Sequence, residues 1–343
     1  MGNRGVLLIN VGTPMEPTVE SVRKYLREFL LDPDVIDIPA PLRHLLVRGI
    51  ILRVRPRKIA PLYQKIWMDE GSPLRVYSDR ITKSLSQKSE EIEFEFAMRY
   101  GHPSILSGLE KLRDNGVEEL LLLPMFPHFA QATTESSLKH TYKQLKKMDW
   151  SPEIIEMGNF ETDENYVVPL ANSIQEHIGE DTHLLFSYHG LPVSHVKRID
   201  ESKKHCQKTN NCCSTKTDAN KMCYGHQCFE TTHTVVGLLG LKPEQWSISF
   251  QSRLGPVKWL EPSTMDKVEE LAKKGIKKLT IVAPAFLADG LETLEELDIG
   301  IREHFEEHGG EELTVIKCLN DNEDWIQGLE NMIQKKFSSV ITA

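Results

Sequence analysis

Two rhythms alternate along the chain. Short, nearly uninterrupted apolar runs occur at 5–12 (GVLLINVG), 94–101 (FEFAMRYG), 118–126 (EELLLLPMF) and 153–160 (EIIEMGNF). They return at 182–190 (THLLFSYHG), 245–255 (QWSISFQSRLG), 277–286 (KKLTIVAPAF) and 312–319 (ELTVIKCL). Between them the apolar positions are spaced by three or four, as over Val19–Leu31, Ser104–Asn115 and Asp266–Lys274. The first rhythm is that of strands covered on both faces, the second that of helices with one apolar face. Gly116 and Gly275 follow two of these helices, where a stop needs a residue tolerant of left-handed backbone. Strands alternating with helices predict an α/β fold built on parallel sheets.

The halves also resemble each other. LLINVGTP (Leu7–Pro14) pairs with LFSYHGLP (Leu185–Pro192), and FAMRYG (Phe96–Gly101) with FQSRLG (Phe250–Gly255). NGVEELLLLPMF (Asn115–Phe126) pairs with KGIKKLTIVAPAF (Lys274–Phe286), one residue longer. The shared order predicts a duplication: two similar doubly wound, Rossmann-like domains, each a small parallel sheet flanked by helices, with a cleft between them. The expected domains are 1–150, with a lip at 41–75, and 151–325, with a cysteine-rich insert at 206–228. A terminal helix over 326–343 is expected to pack back on the first domain. Ligands of open α/β sheets bind beyond the carboxyl ends of the strands. Val11, Arg99, His189, Arg253 and Asp289 fall there.

Charge and composition narrow the role. A net charge of −9 argues against general nucleic-acid binding. No apolar stretch reaches the roughly 18 residues of a membrane span. MGNRGVLLINVG runs into a strand after too short an apolar run for a secretory leader, and Val6 departs from the myristoylation pattern. The expectation is a cytoplasmic protein.

Three groups of residues carry candidate chemistry. His189 ends a strand in SYHGLP; among 13 histidines a structural role is the ordinary reading, and a base with a near-neutral pKa is the functional one. Asp289, Glu292 and Glu296 are spaced by three and four, which puts them on one face of a helix. That face is either a solvated acidic surface, with Asp289 as a helix cap, or a carboxylate relay for metal or protons. Cys206, Cys212, Cys213, Cys223 and Cys228 fall within 23 residues, with only Cys318 elsewhere. So tight a cluster in a large chain points to a metal site holding zinc or an iron–sulfur cluster, and the lack of paired CxxC knuckles disfavours a zinc ribbon.

The motifs now add up to a resemblance. FQSRLGPVKWLEPS (Phe250–Ser263), SYHGLP, DGLETLEELDIG, LLINVGTP, YLREFLLDP, GSPL, AMRYGHP and TTESS resemble, in order, those of the ferrochelatase family. The resemblance implies a chelatase-type fold and insertion of Fe2+ into protoporphyrin IX. It implies His189 and Glu292 facing each other across the porphyrin, with Glu296 and Asp289 completing an acidic path. The pocket wall is similar to Val11, Arg99, Trp259 and Phe286. Family members that hold a 2Fe-2S cluster make the insert its expected seat, with four of Cys206, Cys212, Cys213, Cys223 and Cys228 as ligands. Gly290 stands where many relatives have His, and Val11 where relatives often have Met or Tyr. Other readings are coproporphyrin as substrate, cobalt as metal, or a non-catalytic tetrapyrrole or iron carrier. A redox sensor built on the insert would leave the rest of the chain unexplained.

Residues 41–67 hold seven Lys or Arg and no Asp or Glu, mixed with Leu42, Leu45, Ile50, Tyr63 and Trp67. Basic and apolar residues together suit either a porphyrin lip or peripheral contact with an anionic membrane. A basic helix packed on the core is the plain reading.

Overall fold

The computed structural model describes residues 3–179, 181–209, 211–253, 255 and 257–340. Leu254 and Pro256 of the signature segment, Asn210 of the insert and 341–343 of the expected terminal helix lie outside these. The described residues form two compact units. One comprises Met1–Phe126, Ala130–Gly158 and Asn320–Ala343; the other comprises Pro127–Phe129 and Asn159–Leu319.

The first unit holds β1 (Arg4–Gly12), β2 (Ile92–Tyr100), β3 (Glu119–Pro124) and β4 (Glu153–Glu156), ordered β2-β1-β3-β4. The second holds β5 (Thr182–His189), β6 (Trp246–Gln251), β7 (Lys278–Val282) and β8 (Glu312–Val315), ordered β6-β5-β7-β8. All pairings are parallel, and the second order repeats the first. Each strand coincides with one of the eight apolar runs. The runs are continuous because both faces are covered: Val6, Leu7, Leu8 and Ile9 in β1 are all buried, as are Leu184, Leu185 and Phe186 in β5.

The two cores are built alike. Leu7, Ile9, Ala97, Leu109, Leu120 and Leu122 pack together in the first unit. Leu185, Val268, Leu279, Ile281, Leu297 and Phe305 do so in the second. Each Leu, Ile, Val or Phe among these contributes about 1.5–3 kcal/mol by burial. The repeat reaches into the loops. Met98 N–H bonds to Pro103 O at 2.7 Å, and Phe250 N–H to Pro262 O at 2.9 Å. Ser104 then caps the helix Ile105–Asp114 and Ser263 the helix Thr264–Lys273. Gly116 and Gly275, at φ +75° and +91°, sit just past these two helices.

The helix Glu323–Val340 packs on the helix Pro73–Lys88 within the first unit. Ser89 donates to Glu330 at 3.0 Å, and the Arg4 guanidinium lies 4.9 Å from the Phe337 ring centroid. Residues 40–66 form one helical arm, Ala40–Leu46, a π turn Val47–Ile51 and Leu52–Ile66. Among the described residues no helix is long and apolar enough to cross a membrane.

Candidate functional site

His189 is the last residue of β5, where a parallel strand delivers a side chain past the sheet edge. Its Nδ1 lies 2.7 Å from Gly190 O. A carbonyl only accepts, so Nδ1 carries the proton in the neutral ring and Nε2 keeps the lone pair. The Tyr224 hydroxyl donates to His189 O at 2.8 Å. Gly190 is required here by space: a Cβ would come within 2.7 Å of Gln251 O and 3.3 Å of the Trp259 ring. Trp259, half-buried, bridges to Pro192, and the Phe286 ring centroid lies 6.1 Å from that of His189.

The acidic stretch departs from the regular helix expected for it. Glu292–Ile301 winds as a π-helix, a form that recurs at functional sites. Glu292 and Glu296 share this element, whereas Asp289 precedes it and is buried. Asp289 Oδ1 accepts from the Thr293 hydroxyl at 2.9 Å and from Cys318 N–H at 3.2 Å. The single helical face holding all three carboxylates therefore does not form. Cys318, outside the insert, belongs to this Asp289 network.

Glu296 lies close enough to both Glu292 and His189 to feel their charge. Burial pushes the Glu296 carboxyl above its usual range, and the Glu292 charge pushes it further. Hydrogen bonds from Ser252 and the nearby His189 oppose the rise. Gln251 donates to Glu292 O at 3.0 Å, which ties the end of β6 to the π-helix. Arg253 lies 3.7 Å from Asp266 and 4.0 Å from Glu261, an exposed pairing.

In the first unit Val11 is half-buried at the end of β1. Arg99 is engaged in structure: it pairs with Asp32, donates to Ser136 Oγ at 2.8 Å and lies 4.5 Å from the Tyr100 centroid. Burial raises the Asp32 carboxyl, but hydrogen bonds from Asp34 N–H, Ser136 and Tyr100, with the Arg99 charge, outweigh it and leave it below its usual range.

The five insert cysteines are largely withdrawn from solvent. Cys206, Cys212, Cys223 and Cys228 are buried, and Cys213 is half-buried. Cys212 Sγ and Cys213 Sγ are 3.9 Å apart. Polar side chains brace the segment. Asp200 accepts from Cys206 N–H at 2.8 Å and His205 N–H at 2.9 Å, and Asn220 donates to Cys212 O at 3.0 Å. Burial, then the neighbouring thiols, push Cys206 up to about 11, and burial raises Cys213, Cys223 and Cys228 as well. Buried soft donors that resist ionising alone are suited to a cationic centre that would take them as thiolates. Tyr224 touches both ends of this region, bonding to Cys228 and to His189 O.

Ser252, Tyr224, Asp200 and Asn220 were not singled out by pattern. Only their positions, beside Arg253, beside Cys223, just ahead of the insert and within it, offer a signal.

The arrangement of two four-stranded parallel sheets is a chelatase-type fold. Structures with it include SirB from Bacillus subtilis with Fe3+ (TM-score 0.56, 10% identity, 97% of this chain and 95% of that one). Another is the sirohydrochlorin chelatase SirB from Bacillus subtilis subspecies spizizenii in complex with cobalt (TM-score 0.51, 8% identity, 97% and 95%). The family model Ferrochelatase matches residues 3–337, and the chain belongs to the ferrochelatase family. Relatives named Ferrochelatase include that of Bdellovibrio bacteriovorus, 41% identical over 337 residues, with 97% of this chain and 99% of the relative covered. That of Coxiella burnetii is 41% identical over 339 residues, with 96% and 93% covered.

Proposed function

We propose that this protein is a metal chelatase that inserts Fe2+ into protoporphyrin IX, forming protohaem with release of two protons. Family membership over nearly the whole chain supports the reaction. The observation that carries the site is the grouping of His189 with Glu292 and Glu296 around the ends of β5 and β6.

The chemistry asks for two things: acceptors for the pyrrole protons, and ligands for a ferrous ion that has shed water. His189 Nε2, with its lone pair set by the Gly190 contact, can serve either need. Burial, helped by the Glu292 charge, holds the Glu296 carboxyl above the ordinary carboxylate range, and Glu292 stands beside it on the same element. That suits them to take protons from the ring or to pass metal toward it. Trp259 and Phe286 supply apolar walls next to His189. Asp289 acts in this reading by positioning Thr293 at the start of the π-helix. Val11 and Arg99 keep their pocket-wall role as part of the proposal, Arg99 through the stiffness that Asp32 and Ser136 give it.

The insert seats a 2Fe-2S cluster in this reading, with four of Cys206, Cys212, Cys213, Cys223 and Cys228 as ligands. When bound, such a centre supplies one-electron chemistry or structural cross-linking. The arm at 40–66 contacts an anionic membrane surface peripherally, from the cytoplasmic side. Leu42, Leu45, Ile50 and Val54 are exposed on it, together with Arg48, Arg53, Arg57 and Lys58. Arg43 takes no part, being buried with its guanidinium on Ile36 O and Ile38 O.

An anaerobic turnover assay with protoporphyrin IX and Fe2+ tests the reaction. Stoichiometric porphyrin binding without metallation would instead make the protein a carrier.

A further inference from the structure

A second set of ligand-type side chains lies in the second unit, on elements that the reaction does not use. Glu269, in the helix Thr264–Lys273, faces His304 and His308, four residues apart at the helix Arg302–Glu307. Glu269 Oε2 is 3.6 Å from His304 Nε2 and 3.8 Å from His308 Nε2, and the ring centroids are 4.3 Å apart. One donor atom from each residue falls within 4.8 Å of the other two. Phe305, buried in the core, fixes the helix that carries both rings.

The His308 ring presents its lone pair to the carboxylate. His308 Nδ1 lies 2.8 Å from His304 O, a pure acceptor, so Nδ1 holds the hydrogen and the neutral ring keeps its lone pair on Nε2. His304 Nε2 is shielded from solvent and makes no hydrogen bond among the described residues. Glu269 Oε1 is held by Lys273, which orients Oε2 toward the two rings. Two imidazole nitrogens and a carboxylate oxygen thus converge on one point. A single cation satisfies all three donors at once. Tetrahedral bonds of about 2.1 Å put ligand atoms about 3.4 Å apart, so the two Glu269–imidazole separations need to close by only a few tenths of an ångström, and the two ring nitrogens lie within 4.8 Å of each other.

We infer that Glu269, His304 and His308 form a mononuclear site for a divalent transition-metal ion, distinct from the His189 group and from the cysteine insert. Two imidazoles and a carboxylate select zinc- or ferrous-type ions over magnesium and calcium. Three protein ligands leave the fourth position to water, the arrangement of an exchangeable ion. The Lys273 contact and the His304 carbonyl are the outer partners that orient the ligands.

Equilibrium dialysis of the metal-free full chain against Zn2+ tests this. The wild-type chain is expected to hold one more zinc than His304→Ala/His308→Ala, and Glu269→Gln to weaken that extra site tenfold or more. Equal zinc content and affinity in the wild type and the double variant would overturn the site. A second measurement needs no variant: modification of the wild-type histidines by diethyl pyrocarbonate, mapped by mass spectrometry. Zinc is expected to protect His308, the more exposed of the two rings. Unchanged modification of His308 at saturating zinc would also overturn it.

Discussion

Ser252 holds both carboxylate oxygens of Glu296: its backbone N–H donates to Oε1 at 2.8 Å and its hydroxyl to Oε2 at 2.6 Å. These bonds favour the charged carboxylate against burial and the Glu292 charge, which together leave the group raised. Ser252→Ala removes one of them, so the Glu296 pKa rises further. If ionised Glu296 is needed for metallation, the acid limb of the kcat–pH profile moves to higher pH, with the alkaline plateau little changed. An acid limb that stays in place would remove Glu296 from the rate-controlling ionisation.

Asp32 makes a stability prediction. Its folded pKa is depressed below the unfolded value of about 3.9. It therefore contributes stability that is present above the unfolded pKa and is lost as pH falls through the folded one. Asp32→Asn leaves the partly buried Arg99 beside a neutral amide, and breaking such a pair costs up to about 3 kcal/mol at pH 7. Urea unfolding should show that difference at neutral pH and a shrinking one on acidification. A difference that is independent of pH would mean that packing, not charge, is responsible.

The strands were legible because burial on both faces removes polar residues from the run, leaving signals such as LLLL at 120–123. The duplication was legible for a related reason: a βα turn constrains backbone, so Gly, Pro and Arg recur at matching places. The π-helix was not legible, since Glu292–Ile301 has the spacing of an ordinary amphipathic helix. Its consequence, Asp289 turned to Thr293 and Cys318 N–H, depends on a contact 29 residues away. Arg43 shows the same limit. In a run of basic residues nothing marks the one whose guanidinium caps Ile36 O and Ile38 O.

For the insert, the purified protein should carry two iron and two labile sulfide per chain, the content of one 2Fe-2S cluster. Cys206→Ser, Cys223→Ser and Cys228→Ser should each bleach its visible absorbance. Stoichiometric zinc without sulfide in anaerobically purified protein would contradict the assignment.

For the arm at 40–66, charge reversal at Arg53, Arg55 and Arg57 should weaken binding to anionic vesicles, each basic residue near the surface contributing about 1 kcal/mol. Vesicle sedimentation at two salt concentrations checks this, and porphyrin affinity should fall less than vesicle binding. Binding unchanged by the triple reversal would rule this surface out as a membrane contact.

The central claim is that His189 and Glu292 perform the metallation. Anaerobic single-turnover insertion of Fe2+ into protoporphyrin IX, followed by absorbance, measures it directly in His189→Ala and Glu292→Gln. The account predicts that each variant loses at least about 100-fold in rate, the usual scale of a lost acid–base group, while porphyrin still binds. Near wild-type turnover in either variant would contradict it.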